Sequence, residues 1–433
     1  MKRDIYSQLL EWKGSSGRKP LILRGARQTG KTYILKEFAR REYANSLYLN
    51  FEEDPTLDAV FRPPFDMTKL LRYAAAYGGV QIQPASTLII LDEIQASENA
   101  LLALKYLNEH ANEYPIAAAG SLLGIKLGGK KSFPVGKVNF LNLYPLSFLE
   151  FLDAMGKSAL RLLIEEAAPP YVPFPEPVHL ELVDHLKNYY FLGGMPEAVE
   201  TFRRSNSFAE ARRVQRDILD AYLLDFSKHA EKIEILRISA VWNSIPLHLS
   251  RENRRFIFSA VKKGARAREY EAALQWLLDA GLICRSCQVG LPHLPLAAHA
   301  APAVFKVYLL DVGLLGALAN LSHEAVMKGG DALGTFQGAL VENYVAQQLR
   351  EGMADELYYW SSPGKAEVDF VFAAGDAVYP LEVKAGVSRQ SKSLKVYDGK
   401  YHPPALSRAS LRNLKTDGRF RNYPLYAVSL FPK

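Results

Sequence analysis

Two cysteines in 433 residues provide no disulfide framework, which fits a chain working in the reducing environment of a cytoplasm. Long apolar runs are also missing. Leu88 to Leu91 typifies the uninterrupted stretches, far short of the roughly 20 residues a membrane helix needs. The amino-terminal segment MKRDIYSQLLEWK alternates charges with apolar residues and lacks the apolar core of a signal peptide. Neither H-E-x-x-H nor G-x-S-x-G occurs, so the zinc-protease helix and the nucleophile elbow are excluded. There is no internal repeat and no low-complexity tract. These absences predict a soluble, cytoplasmic protein with no membrane partner.

What is present is ordinary globular material, 48% hydrophobic and 23% charged. A chain of this length divides into roughly two to four domains. The net charge is +7, and its placement says more than its total. Ala385 to Tyr423 holds nine Lys and Arg against Asp398 and Asp417. A second basic cluster, Arg251, Arg254, Arg255, Lys262, Lys263, Arg266 and Arg268, is offset only by Glu252. Each reads either as a solvated face or as a surface for a polyanion such as DNA.

Short apolar runs alternate with helical patterns over residues 1–146, the sign of a parallel sheet covered by helices. Strands are expected at Pro20 to Arg24, Ser46 to Phe51, Thr87 to Leu91, Ile116 to Ala119 and Val138 to Leu141. A helix from Thr32 to Tyr43 would bury Ile34, Leu35 and Phe38. Residues 147–233 read as helical, a lid. Residues 234–328 read as a winged-helix-like module, with Tyr270 to Leu278 as its recognition helix and Ile283 to Val289 pairing Val304 to Leu310 as its wing. Residues 329–433 open with a helix, Thr335 to Leu349, and continue as alternating strands.

Gly25-Ala26-Arg27-Gln28-Thr29-Gly30-Lys31-Thr32 matches G-x-x-x-x-G-K-[ST] in full, after an apolar strand and before an amphipathic helix. Such a loop turns its backbone N–H groups toward phosphates, and the helix N-terminus adds partial positive charge. Lys31 is expected at the β- and γ-phosphates of ATP, and the Thr32 hydroxyl on Mg²⁺. Arg27 would either contact phosphate or lie solvated at the rim. Thr87 to Leu91 is a buried-type strand ending in Asp92-Glu93. Asp92 is expected to hold the Mg²⁺ shell and Glu93 to orient or deprotonate the attacking water. Ser121 ends another strand, either as a polar sensor of the γ-phosphate or as an ordinary turn residue.

A second constellation lies near the end. Glu367 to Phe372 and Tyr379 to Lys384 alternate strictly, and a turn at Gly375-Asp376 joins them as a hairpin. Pairing Ala374 with Ala377 places Asp369 opposite Glu382, two like charges that need a cation between them. Glu342 projects from a largely apolar helical face beside Ala339, Val345, Ala346 and Leu349, so it too needs a partner. A divalent metal is one candidate for that cation. Cys284, Cys287, His293 and His299 form a short-spaced group, read either as zinc ligands or as small apolar cysteines on a strand.

Gly25 to Thr32, Leu91-Asp92-Glu93-Ile94-Gln95, Ala119-Gly120-Ser121, Leu143 to Phe151 and Gly193-Gly194-Met195-Pro196-Glu197 together resemble the prokaryotic predicted ATPases that join an AAA-type domain to a C-terminal domain of unknown function. The resemblance covers essentially the whole chain. It implies an α/β architecture: an AAA-type P-loop parallel sheet with a helical lid, the winged-helix-like middle, and a C-terminal α/β domain of restriction-endonuclease-like fold. Where relatives carry Gly-Arg before the Pro-Leu-Ser-Phe segment, this chain has Gly136-Lys137, and lysine lacks the bidentate fork. Glu342, Asp369, Glu382 and Lys384 resemble the active-site set of such nucleases, in which the acids hold Mg²⁺ and the lysine activates water. The resulting expectation is an ATP-hydrolysing, Mg²⁺-dependent protein that binds or processes DNA. The alternative is an ATP-driven switch whose C-terminal fold only binds a protein or nucleic-acid partner. Assembly into a homo-oligomer is compatible with either.

Overall fold

The computed structural model describes residues 1–121, 134–229, 232–352, 356–364, 366–387 and 391–432. The chain divides into two compact units, the first of Met1–Tyr144 with Asp279–Gly281, the second of Pro145–Leu278 with Leu282–Lys433.

Unit 1 is a five-stranded parallel sheet formed by β1 (Leu21–Gly25), β2 (Asn45–Asn50), β3 (Thr87–Asp92), β4 (Ile116–Ser121) and β5 (Asn139–Asn142), in the order β2-β3-β4-β1-β5. Every strand expected from sequence is present. Successive side chains on a strand point to opposite faces, and both faces are covered. Leu21 and Leu23 pack with Ile5, Leu9 and Trp12 of α1 (Ile5–Gly14) and with Ile34, Leu35 and Phe38 of α2 (Lys31–Glu42). Ile22, between them, packs on the other face with Leu70 and Ala74 of α3 (Met67–Gly78) and Leu101, Leu104 and Leu107 of α4 (Glu98–His110). Burial on both faces explains the near-continuous apolar reading of β3 and β4.

Unit 2 combines helices with an eight-stranded mixed sheet. The strands are β6 (Ile283–Val289), β7 (Ala300–Leu309), β8 (Leu357–Ser361), β9 (Glu367–Ala374), β10 (Ala377–Val383), β11 (Leu406–Ser410), β12 (Lys415–Asp417) and β13 (Phe420–Pro424), in the order β12-β13-β11-β10-β9-β8-β6-β7. The β9–β10 hairpin has the expected register, Ala374 against Ala377 and Phe370 against Leu381. The β6–β7 ribbon also pairs antiparallel as expected, but it is not a free wing. β6 runs parallel to β8, Ser286 against Leu357 through Val289 against Trp360. The expected border between residues 328 and 329 therefore falls between strands of one sheet. The physical reason lies in β6 itself: Ile283, Cys284, Ser286, Cys287 and Val289 are all buried, which a solvated wing does not permit.

Two sequence motifs meet in this unit. Ser147 caps the helix Phe148–Ala154 in a capping box with Glu150. Just before it, Leu146 N donates to the Gly194 carbonyl at 2.7 Å. A Cβ on Gly194 would lie 2.1 Å from the Leu146 carbonyl oxygen, so the glycine at this crossing is a steric requirement. Among the described residues no helix is long and apolar enough to cross a membrane.

Candidate functional site: the phosphate loop and the C-terminal acidic cluster

The loop from Gly25 to Thr32 leaves the carboxyl end of β1 and opens α2. Gln28 (φ 65) and Gly30 (φ 95) adopt left-handed backbone. For glutamine this conformation is uncommon and concentrates at functional turns. The N-termini of α3 and α4 are capped by the side chains of Asp66 and Ser97, whereas α2 has no side-chain cap. Its first N–H groups are thus left for an external acceptor, as an anion-binding helix terminus requires.

Lys31 is buried, with Nζ donating to the carbonyls of Gly25 at 3.1 Å and Ala26 at 2.9 Å. Burial lowers its pKa to about 8, against the opposing pull of Glu93 and Asp92. Thr32 Oγ1 donates to Asp92 Oδ2 at 2.8 Å. That hydroxyl and carboxylate are the oxygen pair a hard divalent cation takes. Tyr48, unsuspected from sequence, donates its hydroxyl to the same Asp92 oxygen at 2.7 Å. Burial first and then that bond raise the Tyr48 pKa well above the usual value.

Glu93 also adopts left-handed backbone (φ 49), and Gln95 Nε2 donates to its Oε2. Ser121 is the last residue of β4, in register with Gly25, so its strand end lies beside the start of the loop. Arg3 adds a brace that no motif marks, donating to the Thr29 carbonyl at 3.0 Å and the Tyr144 carbonyl at 2.6 Å. Lys137 is elsewhere. It pairs with Glu109 at 2.9 Å and precedes the amino end of β5, which runs parallel to β1. The phosphate loop leaves the opposite, carboxyl end.

The C-terminal acids are arranged differently from expectation. Glu342 is wholly buried in the helix Phe336–Gly352, as its apolar row implied, and its partners are two cationic side chains and a tyrosine hydroxyl. Oε1 accepts from Lys306 Nζ at 3.0 Å and from the Tyr308 hydroxyl at 2.5 Å, and Oε2 pairs with Arg254. Lys306, itself wholly buried, also reaches Glu367 at 2.7 Å and Asp369 at 4.0 Å. Asp369 Oδ2 accepts from Val383 N at 2.7 Å, and Glu382 pairs with Lys384 at 2.9 Å. Of the three acids expected to share a cation, Glu342 and Asp369 meet at the Lys306 ammonium, while Glu382 pairs with Lys384 instead. Among the described residues no group of three or more His, Cys, Asp and Glu is disposed to hold a metal ion, and the cation these acids meet in the structure is the Lys306 ammonium.

The only charged residue in the run Val304 to Leu310 is Lys306, which was the available signal. Arg254, and Arg255 on Ser361 Oγ at 3.3 Å, are likewise engaged internally. Lys262, Lys263, Arg266 and Arg268 are exposed. Cys284 and Cys287 lie three residues apart on β6 and therefore face opposite sides of it, which rules out a shared zinc.

The sheet, the loop and the acidic strand end define the class of unit 1: an AAA-type P-loop ATPase fold. Residues 17–152 match the family described as AAA domain. Residues 183–325 and 337–428 match two families described as domains of unknown function, DUF8612 and DUF4143. No curated protein matches the chain. Among solved structures, a Walker-type ATPase of Pyrococcus abyssi is similar at 14% identity and TM-score 0.46, over 73% of this chain and 95% of that one. The RuvB Holliday junction branch migration motor of Thermotoga maritima is similar at 13% identity and TM-score 0.31, over 66% and 90%. Cdc6p from Pyrobaculum aerophilum is similar at 12% identity and TM-score 0.25, over 76% and 96%.

Proposed function

We propose that the chain binds ATP with Mg²⁺ and hydrolyses it. The observation that carries this reading is the 2.8 Å contact of Thr32 with Asp92, beside a buried Lys31 held only by loop carbonyls. Mg²⁺, when bound, supplies Lewis-acid charge at the phosphate oxygens, and Thr32 Oγ1 and Asp92 Oδ2 are the atoms that would hold it. Lys31 exchanges its carbonyl partners for the β- and γ-phosphates. The N–H groups of Gly25 to Thr32, with Ala26, Arg27, Gln28 and Thr29 forming the loop's bend, receive the remaining phosphate oxygens. Ser121 bonds the γ-phosphate from the neighbouring strand end. Glu93, steered by Gln95, takes a proton from water as the water oxygen attacks the γ-phosphorus. The bond from that phosphorus to the bridging oxygen breaks, leaving ADP and phosphate.

Steady-state turnover and nucleotide titration of two variants test this. Lys31→Ala should lose ATP binding, and Glu93→Gln should bind ATP but turn over about 10²–10⁴-fold more slowly. Wild-type turnover by Glu93→Gln would remove Glu93 as the base.

For unit 2 the two readings are metal-dependent DNA processing and binding of a partner under ATP control. The salt-bridged state of Glu342, Glu367 and Asp369 around Lys306 supports the second. The solvated Lys262, Lys263, Arg266 and Arg268 leave DNA as a candidate partner. ATPase activity measured with and without duplex DNA separates a DNA-coupled role from one independent of DNA. Mg²⁺-dependent nicking that is lost in Asp369→Ala would restore the first reading.

A further inference from the structure

A cavity of about 670 Å³ opens in unit 2 between the helix Lys392–Tyr401 and strands β11 to β13, away from the acidic cluster's lysine. Cavities of this size hold small organic molecules. Its charge is one-sided. Lys395, Arg408, Arg412 and Lys415 line it against a single acid, Asp417, which Lys415 contacts at 3.4 Å.

Arg408 is the centre of the site. It is only 4% exposed, yet its guanidinium makes one hydrogen bond among the described residues, from Nε to Asn422 Oδ1 at 2.9 Å. The carbon of the fork lies 4.9 Å from the centre of the Phe420 ring. Its neighbour in the sheet is Glu382, whose Oε1 pairs with Lys384 while its Oε2 has no hydrogen-bond partner among the described residues. Its two terminal nitrogens, those of Arg408, make no hydrogen bond among the described residues, and the side chain lines the cavity, which leaves a planar two-pronged donor available to an acceptor there.

A second observation points to the same ligand chemistry. Ser391, also on the cavity wall, precedes a ten-residue helix that has no side-chain cap. The Ser391 hydroxyl is buried without a hydrogen-bond partner among the described residues. The uncapped helix start and Arg408 thus line one cavity, where an anion would meet both. Leu394, Leu406 and Phe420 supply an apolar wall for an organic portion.

We propose that this cavity is a binding site for a small organic phosphate of nucleotide size, separate from the phosphate loop. Arg408 and Arg412 hold the phosphate, the helix N-terminus completes its hydrogen bonds, and the apolar wall packs the remainder. A flexible polyanion is the less suitable occupant, because the basic side chains surround one compact hollow with an apolar wall and an engaged acid at its rim, and do not form an extended basic groove.

The test uses the full chain carrying Lys31→Ala, so that the phosphate loop does not contribute, with AMP and inorganic phosphate as probes in calorimetric titration. AMP should bind, with phosphate weaker than AMP, and Arg412→Ala should weaken AMP at least tenfold. Lys395→Ala with Lys415→Ala should weaken it less, since both side chains are exposed. Unfolding midpoints of each variant show whether a loss is merely structural, and the exposed pair keeps the test open if Arg412→Ala does not fold. Failure of both probes to bind at millimolar concentration overturns the proposal. So does AMP binding that is indifferent to Arg412, Lys395 and Lys415. Equal dependence on these residues for a single-stranded oligonucleotide, without AMP binding, assigns the surface to nucleic acid and overturns it as well. Loss of ATPase activity by Lys31→Ala bears on the phosphate loop alone and leaves this outcome separate.

Discussion

Lys306 and Glu342, both wholly buried, form a 3.0 Å ion pair that ties β7 to the helix Phe336–Gly352. Lys306 also serves Glu367, and Glu342 also receives Arg254 and Tyr308. Removing one partner from such a cluster strands the others without compensation, at about 3–5 kcal/mol. Lys306→Met should therefore destabilise unit 2 by that amount in urea unfolding. Lys306→Met combined with Glu342→Gln should recover part of the loss, because the glutamine carries no charge to strand. Equal stability of the single variant and the wild type would show that the ammonium is dispensable.

Gln95 is a positioning residue with a separable signature. Its amide holds Glu93 Oε2 and, in the proposed mechanism, touches neither phosphate nor metal. Gln95→Ala should lower kcat by up to about 10²-fold, as expected for a misplaced catalytic group, with ATP affinity nearly unchanged. Gln95→Glu should not rescue it, since a second carboxylate would repel Glu93. An affinity loss matching the rate loss would mean that Gln95 shapes the nucleotide site itself.

The nucleotide site was legible in sequence because its chemistry sits in contiguous strand ends. Gly25 to Thr32 and Asp92-Glu93 each follow an apolar strand, and parallel topology brings those ends together. Tyr48 and Arg3 were not legible. Each reaches the site across a long sequence separation, Tyr48 to Asp92 and Arg3 to Thr29, and neither stands in a motif. In unit 2, alternation gave the β9–β10 register correctly. The identity of the cation did not follow from it. Like charges opposite one another require a positive partner, and local spacing does not distinguish an ion from a lysine on a strand distant in sequence. The β6–β7 ribbon illustrates the same limit: its pairing is local, while its union with β8 is decided by burial on both faces.

Lys31 should make ATP binding pH-dependent in the alkaline range. Burial holds its pKa in the free protein at about 8, below the ordinary lysine value near 10.4. ATP requires the charged form, so affinity should be flat below about pH 8 and fall roughly tenfold per unit above it. The same shift adds stability to the nucleotide-free protein as pH rises from about 8, because the unfolded chain there binds the extra proton. Calorimetric titration between about pH 7 and 9.5 measures the first effect. Affinity independent of pH across that span would show that the ammonium keeps its charge in the loop.

Asp311 should give unit 2 a stability component that acts in the opposite sense, in the acid range. Its Oδ2 accepts from Gly194 N at 2.6 Å and from Gln347 Nε2 at 3.4 Å, and its Oδ1 accepts from Leu314 N at 2.9 Å to cap the helix Val312–Leu318. Those donors favour the carboxylate, but complete burial outweighs them and raises the pKa to about 6. The folded state therefore binds a proton that the unfolded chain releases near pH 4. The contribution is fully present below about pH 4 and is lost as pH rises through about 6. The change is on the order of 3 kcal/mol. Asp311→Asn cannot titrate, and an amide offers one acceptor oxygen where two are used, so it should also lose about 1–3 kcal/mol through an unmet donor. Urea unfolding of both proteins across about pH 4 to 7 isolates the titration, since all other carboxylates cancel in the difference. The advantage of the wild type over Asp311→Asn should shrink as pH rises. A constant difference would show that Asp311 is ionised throughout and that its three hydrogen bonds outweigh its burial.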